Sequence, residues 1–388
     1  MKKFTKIACL ALALVLGVAG LASCGVTNYA ADNTTFFIGA TGPLTGDTSS
    51  YGISVQRGAQ IAIDEINANG GLNGIKFSFE MKDDEATAAK AATGYTALFE
   101  AGMQVSIGSV TSGSCKSFAE TAKEDNVLLI TPSASAADVI AVGDHAFRVC
   151  FGDPQQGTIA ADTLTKGYTK IGVIYDTSDT YSSGLYEAFV AKMGTLNKVK
   201  GTDYVVTSFN KENNKDFSTQ VGAIKAAGCD VLFLPFYYTE AGLVAKEAAK
   251  NEYNVPIFGC DGLDGIKEQI KPEDNVSAQI SYITPFDVNS TDETVVKFVN
   301  AYKAKYNGAL PDQFAADGYD AIMILYEAMK KAGVEDVTIS ASELTDLLIP
   351  ILTGGEFKYS GVTGKNMTWT KDGSCEKAAN IVIVDFED

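Results

Sequence analysis

From Phe36 onward the chain alternates short apolar runs with longer amphipathic segments, and this alternation runs through twice. Apolar runs at 36–40, 75–81, 105–108, 127–131 and 145–151 read as strands. Between them lie a helix with Val55, Ala59, Ala62, Ile63 and Ile66 on one face, an Ala-rich helix ending near Glu100, and a helix over 115–124. Asn69-Gly70-Gly71 ends the first of these, as glycine does past a helix C-terminus. The pattern restarts with strands at 170–175, 204–208, 230–235 and 255–259 and helices at 184–193, 217–227 and 240–251. An extended run at 277–284 follows, then helices at 292–306, 314–331 and 341–352 and closing strands at 367–370 and 381–386. Buried strands alternating with helices predict an α/β protein of two doubly wound parallel-sheet lobes, each sheet covered on both faces. Both halves place a tyrosine, Tyr51 and Tyr181, in the loop after their first strand, which suggests two similar lobes facing each other.

The stretch from Val105 to Ser135 carries the strongest hint of a site. Two apolar runs end there in small hydroxyl residues: Ser109, Thr111, Ser112 and Ser114 after the first, Ser133 and Ser135 after the second. In an open parallel sheet the carboxyl ends of the strands face the ligand crevice, and helix N-termini there offer unpaired N–H groups. Two such clusters side by side would suit a small anion such as a carboxylate. Ser and Thr are also ordinary helix caps, and that reading of the same residues stands beside the first.

The 388 residues suffice for two domains. Lys2, Lys3 and Lys6 precede an apolar run over 7–21 that is short for a membrane span, and Leu21-Ala22-Ser23-Cys24 follows. Leu-Ala-Ser-Cys resembles the lipobox of bacterial lipoproteins. It implies a signal peptide over 1–23, a lipid on Cys24 and a polar tether over 24–35, with the protein held on the extracytoplasmic face of the cell membrane. Loss of the leader's three lysines would take the net charge from −17 to −20. Such acidity argues against nucleic acid as a partner. Of the seven cysteines, Cys115, Cys150, Cys229, Cys260 and Cys375 would remain. They are scattered, without metal-ligand spacing, and read as small buried hydrophobes whose disulfide state is open. Neither a cofactor nor a metal is expected.

Several motifs together carry a family likeness: Thr41-Gly42-Pro43-Leu44, Gly58-Ala59, Asp64-Glu65-Ile66-Asn67, Gly70-Gly71-Leu72-Asn73-Gly74, Asp83-Asp84, Leu129-Ile130-Thr131-Pro132-Ser133-Ala134 and Asp320-Ala321. The chain from Phe36 to its end resembles the leucine/isoleucine/valine-binding protein family, the substrate-binding components of ABC importers. The resemblance implies a type I periplasmic-binding-protein clamshell with three crossover segments, near Val149, Ser281 and Gly361. It implies an N-terminal lobe of 36–149 with 283–361 and a C-terminal lobe of 150–282 with 362–388. It further implies that the ligand carboxylate meets hydroxyl and N–H groups at Ser112, Ser133, Ala134 and Ser135, and the ammonium meets Asp261. Tyr51, Tyr181, Tyr237 and Phe314 would line the pocket. A zwitterion leaving water needs both charges met by charge-assisted hydrogen bonds, and such an arrangement supplies them. The expected partners are an amino acid, branched-chain or otherwise aliphatic, and an ABC permease, with the protein a monomer. Two departures stand out: relatives often carry glutamate where this chain has Asp261, and Glu85-Ala86 occupies the place of a disulfide cysteine.

The sequence has no GxSxG, GxxxxGK[ST] or GxGxxG motif, and its single histidine, His145, reads as structural. Asp83-Asp84 and Asp317/Asp320 read as solvated or capping acids rather than an acid/base pair, so no enzymatic activity is expected. The competing readings are a sensor built on the same clamshell, or a binder of a small amide, urea or another amino-acid class.

Overall fold

The computed structural model describes residues 34–386. The leader, Cys24 and most of the tether lie outside the described residues. Strand β1 (Thr35–Gly42) shows why a layered architecture forms: Phe36, Ile38 and Ala40 join one core cluster and Phe37 joins another. Alternate side chains leave a strand on opposite faces, so a strand apolar on both needs helices above and below. Strands β2 (Lys76–Asp83), β3 (Val105–Ser106), β4 (Leu129–Thr131) and β5 (Ala146–Arg148) complete a parallel sheet in the order β2-β1-β3-β4-β5. Helices α1 (Ser49–Ala68), α2 (Ala88–Glu100), α3 (Ser112–Glu124) and α4 (Ala137–Ile140) connect them.

The second sheet comprises β6 (Ile171–Asp176), β7 (Tyr204–Phe209), β8 (Val231–Leu234), β9 (Ile257–Gly259), β10 (Ile280–Thr284) and β11 (Asn380–Ile383) in the order β11-β10-β9-β8-β6-β7. All its pairs are parallel except β10 with β11. Its connecting helices are α5 (Asp153–Gly167), α6 (Thr180–Thr195), α7 (Ser218–Ala226) and α8 (Tyr238–Lys250). After β10 the chain forms α9 (Glu293–Lys305), α10 (Gln313–Lys331) and α11 (Ala341–Thr353), and α10 lies along α1. Two glycines permit that close crossing: a Cβ on Gly318 would stand 2.5 Å from the Val55 carbonyl oxygen, and one on Gly58 would overlap the Ala315 carbonyl.

The chain passes between the sheets three times, after β5, after β10, and between α11 and β11. Asp320 of α10 anchors the third passage by accepting the N–H groups of Val362 and Thr363 at 3.0 and 2.8 Å and the Thr363 hydroxyl at 2.6 Å. Lys377 pairs with Asp317 at 3.1 Å, both side chains almost fully buried. Trp369 Nε1 donates to the Arg148 carbonyl at 2.8 Å, tying the third passage to the first.

Several expectations are corrected. Helix α6 starts at Thr180 rather than 184, because the Asp179 side chain caps it by accepting the Ser182 N–H at 2.9 Å. Tyr51 and Tyr181 therefore lie in the first turns of α1 and α6, not in loops. The strand expected at 367–370 reduces to single bridges, Tyr359 with Met367 and Trp369 with Cys375, because the crossing segment pairs with itself. Of the acids expected to be solvated or capping, Asp84, Asp317 and Asp320 are buried rather than solvated; Asp84 accepts from Ser109 Oγ at 2.6 Å and caps the Ala86 N–H at 2.9 Å. His145 is buried, its Nε2 3.0 Å from the Ala119 carbonyl oxygen, and burial lowers its pKa. The five cysteines that the structure describes are buried and free. Among the described residues no helix is long and apolar enough to cross a membrane, and no group of His, Cys, Asp and Glu could hold a metal ion.

Candidate functional site

The carboxyl ends of the two sheets face each other, and the elements that follow the strands close on a small shared space. Its centre is aromatic. Tyr51, from the first turn of α1, packs against Phe314 of α10 with ring centroids 4.2 Å apart, and edge-on to Tyr237 at 5.7 Å and Tyr238 at 4.9 Å. Tyr181, from the first turn of α6, stacks on Tyr237 at 5.0 Å and 6°. Tyr51, Tyr181 and Tyr237 sit at helix starts that follow the carboxyl ends of strands, and Phe314 joins them from the first turn of α10, which follows α9.

Tyrosine hydroxyls then tie the rings to the turn at Asp261–Leu263. The Tyr51 hydroxyl donates across the cleft to the Gly262 carbonyl and accepts from the Tyr238 N–H at 3.3 Å. The Tyr181 hydroxyl donates to Asp261 Oδ1 at 2.6 Å and accepts from the Gly262 N–H at 2.8 Å. Asp261 is 5% exposed. Its N–H donates to Gln156 Oε1 at 3.0 Å, and its carbonyl accepts from Gln313 Nε2 at 2.9 Å. Burial pushes its carboxyl up to about 6, against the lowering effect of hydrogen bonds from Tyr181 and Gln156.

On the opposite wall stands the hydroxyl cluster. Ser112 opens α3, and its Oγ accepts the Ala136 N–H at 3.2 Å. The Ser133 hydroxyl donates to the Val110 carbonyl at 2.8 Å, and the Ala134 N–H donates to Thr131 Oγ1 at 3.1 Å. None of these is a helix cap: Thr111, at the cap position of α3, makes no side-chain cap hydrogen bond. The hydroxyls of Thr111, Ser114 and Ser135 are buried without a partner. Buried polar groups are nearly always paired, so several orphans in one place mark a surface built to meet something polar.

Between these walls lies a cavity of about 10 Å³, barely the space of one water. Of the residues expected to form the site, Tyr51, Ser112, Ser133, Tyr181, Tyr237, Asp261 and Phe314 line it. Ala134 and Ser135 do not; they stand behind the wall. Val110, Thr111 and Gly262 line it as well. Thr111 and Gly262 lie within stretches that the sequence singled out, but Gln156 and Gln313, which hold the Asp261 backbone, carry no sequence signal.

A sequence model of the periplasmic binding protein family matches residues 35–387. The chain belongs to that family. It is 32% identical over 313 residues to the Leu/Ile/Val-binding protein BraC3 of Rhizobium johnstonii, covering 80% of this chain and 83% of that one. Among solved structures, the branched-chain amino acid transporter substrate-binding protein LivJ of Streptococcus pneumoniae, in complex with isoleucine, superposes with a TM-score of 0.78 at 27% identity, over 89% of this chain and 95% of that one. The leucine-binding protein LivK of Thermotoga maritima gives 0.78 at 26% identity, over 90% and 95%. The fold is thus the two-lobed α/β architecture of a type I periplasmic binding protein. The two sides of the cleft present unlike groups, hydroxyls on one and the Asp261 carboxylate on the other.

Proposed function

We propose that this protein is the extracytoplasmic substrate-binding component of an ABC importer, enclosing an aliphatic or branched-chain amino acid between its lobes and passing it to a permease without chemical change. The observation that carries this reading is the opposition of Asp261 to the orphaned hydroxyls around Ser112 and Thr111, across an aromatic cleft. A zwitterion fits that polarity: its ammonium faces the carboxylate, its carboxylate faces hydroxyls and the free N–H groups of the α3 N-terminus, and its side chain meets rings. The names of the relatives point the same way. Ser112, Ser133, Ala134 and Ser135 take the carboxylate end in this reading, Ala134 and Ser135 after a small opening of the wall. Tyr51, Tyr181, Tyr237 and Phe314 shape the side-chain space.

Closure then reports occupancy, since ligand favours the closed state by its differential affinity. The lobes divide as 36–149 with 283–361 and 150–282 with 362–388, and the mature chain is a monomer anchored by lipid on Cys24. Replacement Cys24→Ser should release the protein from the membrane fraction; retention there would contradict the anchor. Thermal unfolding of the chain lacking residues 1–24, run against the common amino acids, small amides and urea, tests the ligand class. Binding to the folded state alone adds about 2.7 kcal/mol at a hundredfold excess over Kd, so the ligand should raise Tm visibly. A rise confined to aliphatic amino acids is expected. A rise only with amides or urea would overturn the zwitterion site while leaving the binding role.

A further inference from the structure

Asp261 carries its carboxylate on a short stem, so where the carboxylate stands follows from how the backbone turn at Asp261–Leu263 is held. Most of that hold comes from Asp261's own side of the cleft, from elements that belong with the second sheet. Gln156 of α5 accepts its N–H at 3.0 Å, and Tyr181 of α6 donates to its Oδ1 at 2.6 Å. The turn also closes on itself, the Asp264 N–H donating to the Asp261 carbonyl at 3.0 Å.

Another hold arrives from the opposite side. Gln313 opens α10, the helix that lies along α1, and is 2% exposed. Its Nε2 donates to the Asp261 carbonyl at 2.9 Å, so that carbonyl accepts twice, from its own turn and from across the cleft. Its backbone N–H, one of those that a helix leaves unpaired at its start, points to Asp264 Oδ2 at 3.4 Å. Tyr51, from the same side, donates to the intervening Gly262 carbonyl. The side of α1 and α10 thus supplies donors and the Asp261 turn supplies acceptors. Ser112 and Ser133, which form the hydroxyl wall, also follow strands of the first sheet, so Gln313 ties the turn that carries the carboxylate to the body that carries the hydroxyls.

We propose that Gln313 is a positioning residue for amino-acid recognition: it fixes the Asp261 turn against the hydroxyl wall and so sets the spacing between the groups that meet the ammonium and the carboxylate. This rests on the amino-acid reading above. In an α-amino acid both charged groups are attached to one carbon, so their separation is rigid, and a site must hold its own groups to within about 0.5 Å to serve both. A ligand without the amino group makes no such demand. The fold depends little on the contact, because the Asp261 carbonyl keeps the Asp264 N–H as a partner when Gln313 is replaced.

Titration calorimetry of the purified protein tests this with L-leucine, L-isoleucine and 4-methylpentanoate, which is leucine without its amino group. Gln313→Leu, which keeps the bulk and removes the donor, should weaken both amino acids by about tenfold and 4-methylpentanoate by less than about twofold, with Tm nearly unchanged. Gln313→Glu, which sets an oxygen against the carbonyl, should do the same and serves if the leucine variant does not fold. In the Asp261→Asn background, Gln313→Leu should have little further effect on L-leucine, because the residue acts through Asp261. Unchanged affinities in the Gln313 variants would overturn the proposal. So would equal weakening toward all three probes, or an undiminished loss in the Asp261→Asn background; each marks a merely structural contact and leaves the amino-acid reading intact. If 4-methylpentanoate binds too weakly to measure, the double variant decides. If the unaltered protein binds neither amino acid, that reading falls and this inference with it.

Discussion

Asp261 sits where burial and hydrogen bonding pull against each other, and its carboxyl is held near 6 as a result. A bound ammonium favours the ionised form, so binding below that value requires the carboxyl to give up its proton first. Affinity for L-leucine should therefore fall as pH drops through about 6. Titration calorimetry between about pH 5 and 7 measures this directly, and a flat profile in that window would remove Asp261 from the ammonium site. Tyr181 has a part in the same balance, since its hydroxyl donates to Asp261 while the Gly262 N–H donates to Tyr181. The ring that shapes the pocket also fixes the acid, so a change at Tyr181 alters both shape and charge.

At the scale of elements, the site is a set of helix starts and strand ends held in register by buried polar pairs. The α1–α10 crossing brings Tyr51 and Phe314 together, and it depends on the absent side chains of Gly58 and Gly318. The α10 helix then reaches in both directions: Gln313 at its start holds the Asp261 carbonyl, and Asp317 and Asp320 further along hold the third passage. The Asp317–Lys377 pair is nearly fully buried, where replacing both partners can be neutral but removing one strands a charge. One helix thus contacts both the third passage and the Asp261 turn.

At the scale of the whole molecule, Asp264, beside the Asp261 turn, lies at the start of α10 near its N-cap Asp312, accepting the Gln313 N–H at 3.4 Å. Asp312 accepts from Ser54 Oγ at 2.6 Å and the Ala315 N–H at 2.8 Å; Asp264 accepts from the Tyr282 hydroxyl at 3.0 Å. Burial first, then Asp312, pushes Asp264 up to about 7, and Glu268 adds to the repulsion. The pKa of Asp312 is raised as well, chiefly by burial. An opening of the cleft that separates the two acids would relieve both effects, so a closed form would hold a proton that an open form releases. Closure, and with it ligand affinity, should weaken as pH rises through about 7. Asp264→Asn should remove that decline, giving equal affinities at about pH 6.5 and 8.5 by calorimetry. An unchanged decline would place its origin elsewhere.

The architecture was legible in the sequence because a strand apolar on both faces, such as 36–40, can only be buried between helices, and that pattern recurs through both halves. The polarity of the site was legible too, because hydroxyl residues after apolar runs fall at the carboxyl ends of parallel strands. Element boundaries depended on single caps: Asp179 began α6 four residues early and moved Tyr181 from a loop into a helix. The rest belonged to tertiary structure. In sequence a serine at 112 reads as a cap before it reads as a ligand group, until the Ala136 N–H is seen to donate to it and Thr111, at the cap position, is seen to make no cap hydrogen bond. Helix α5, with Gln156 on it, carries no signal in the sequence reading, and only the fold brings Gln156 to the Asp261 N–H. Periodicity is a local property, written in neighbouring residues, whereas desolvation is set by whatever distant segments fold over a group. The sequence therefore determined the layers and the side of the sheets on which a ligand would lie, and the tertiary structure alone decided which polar groups were left without water.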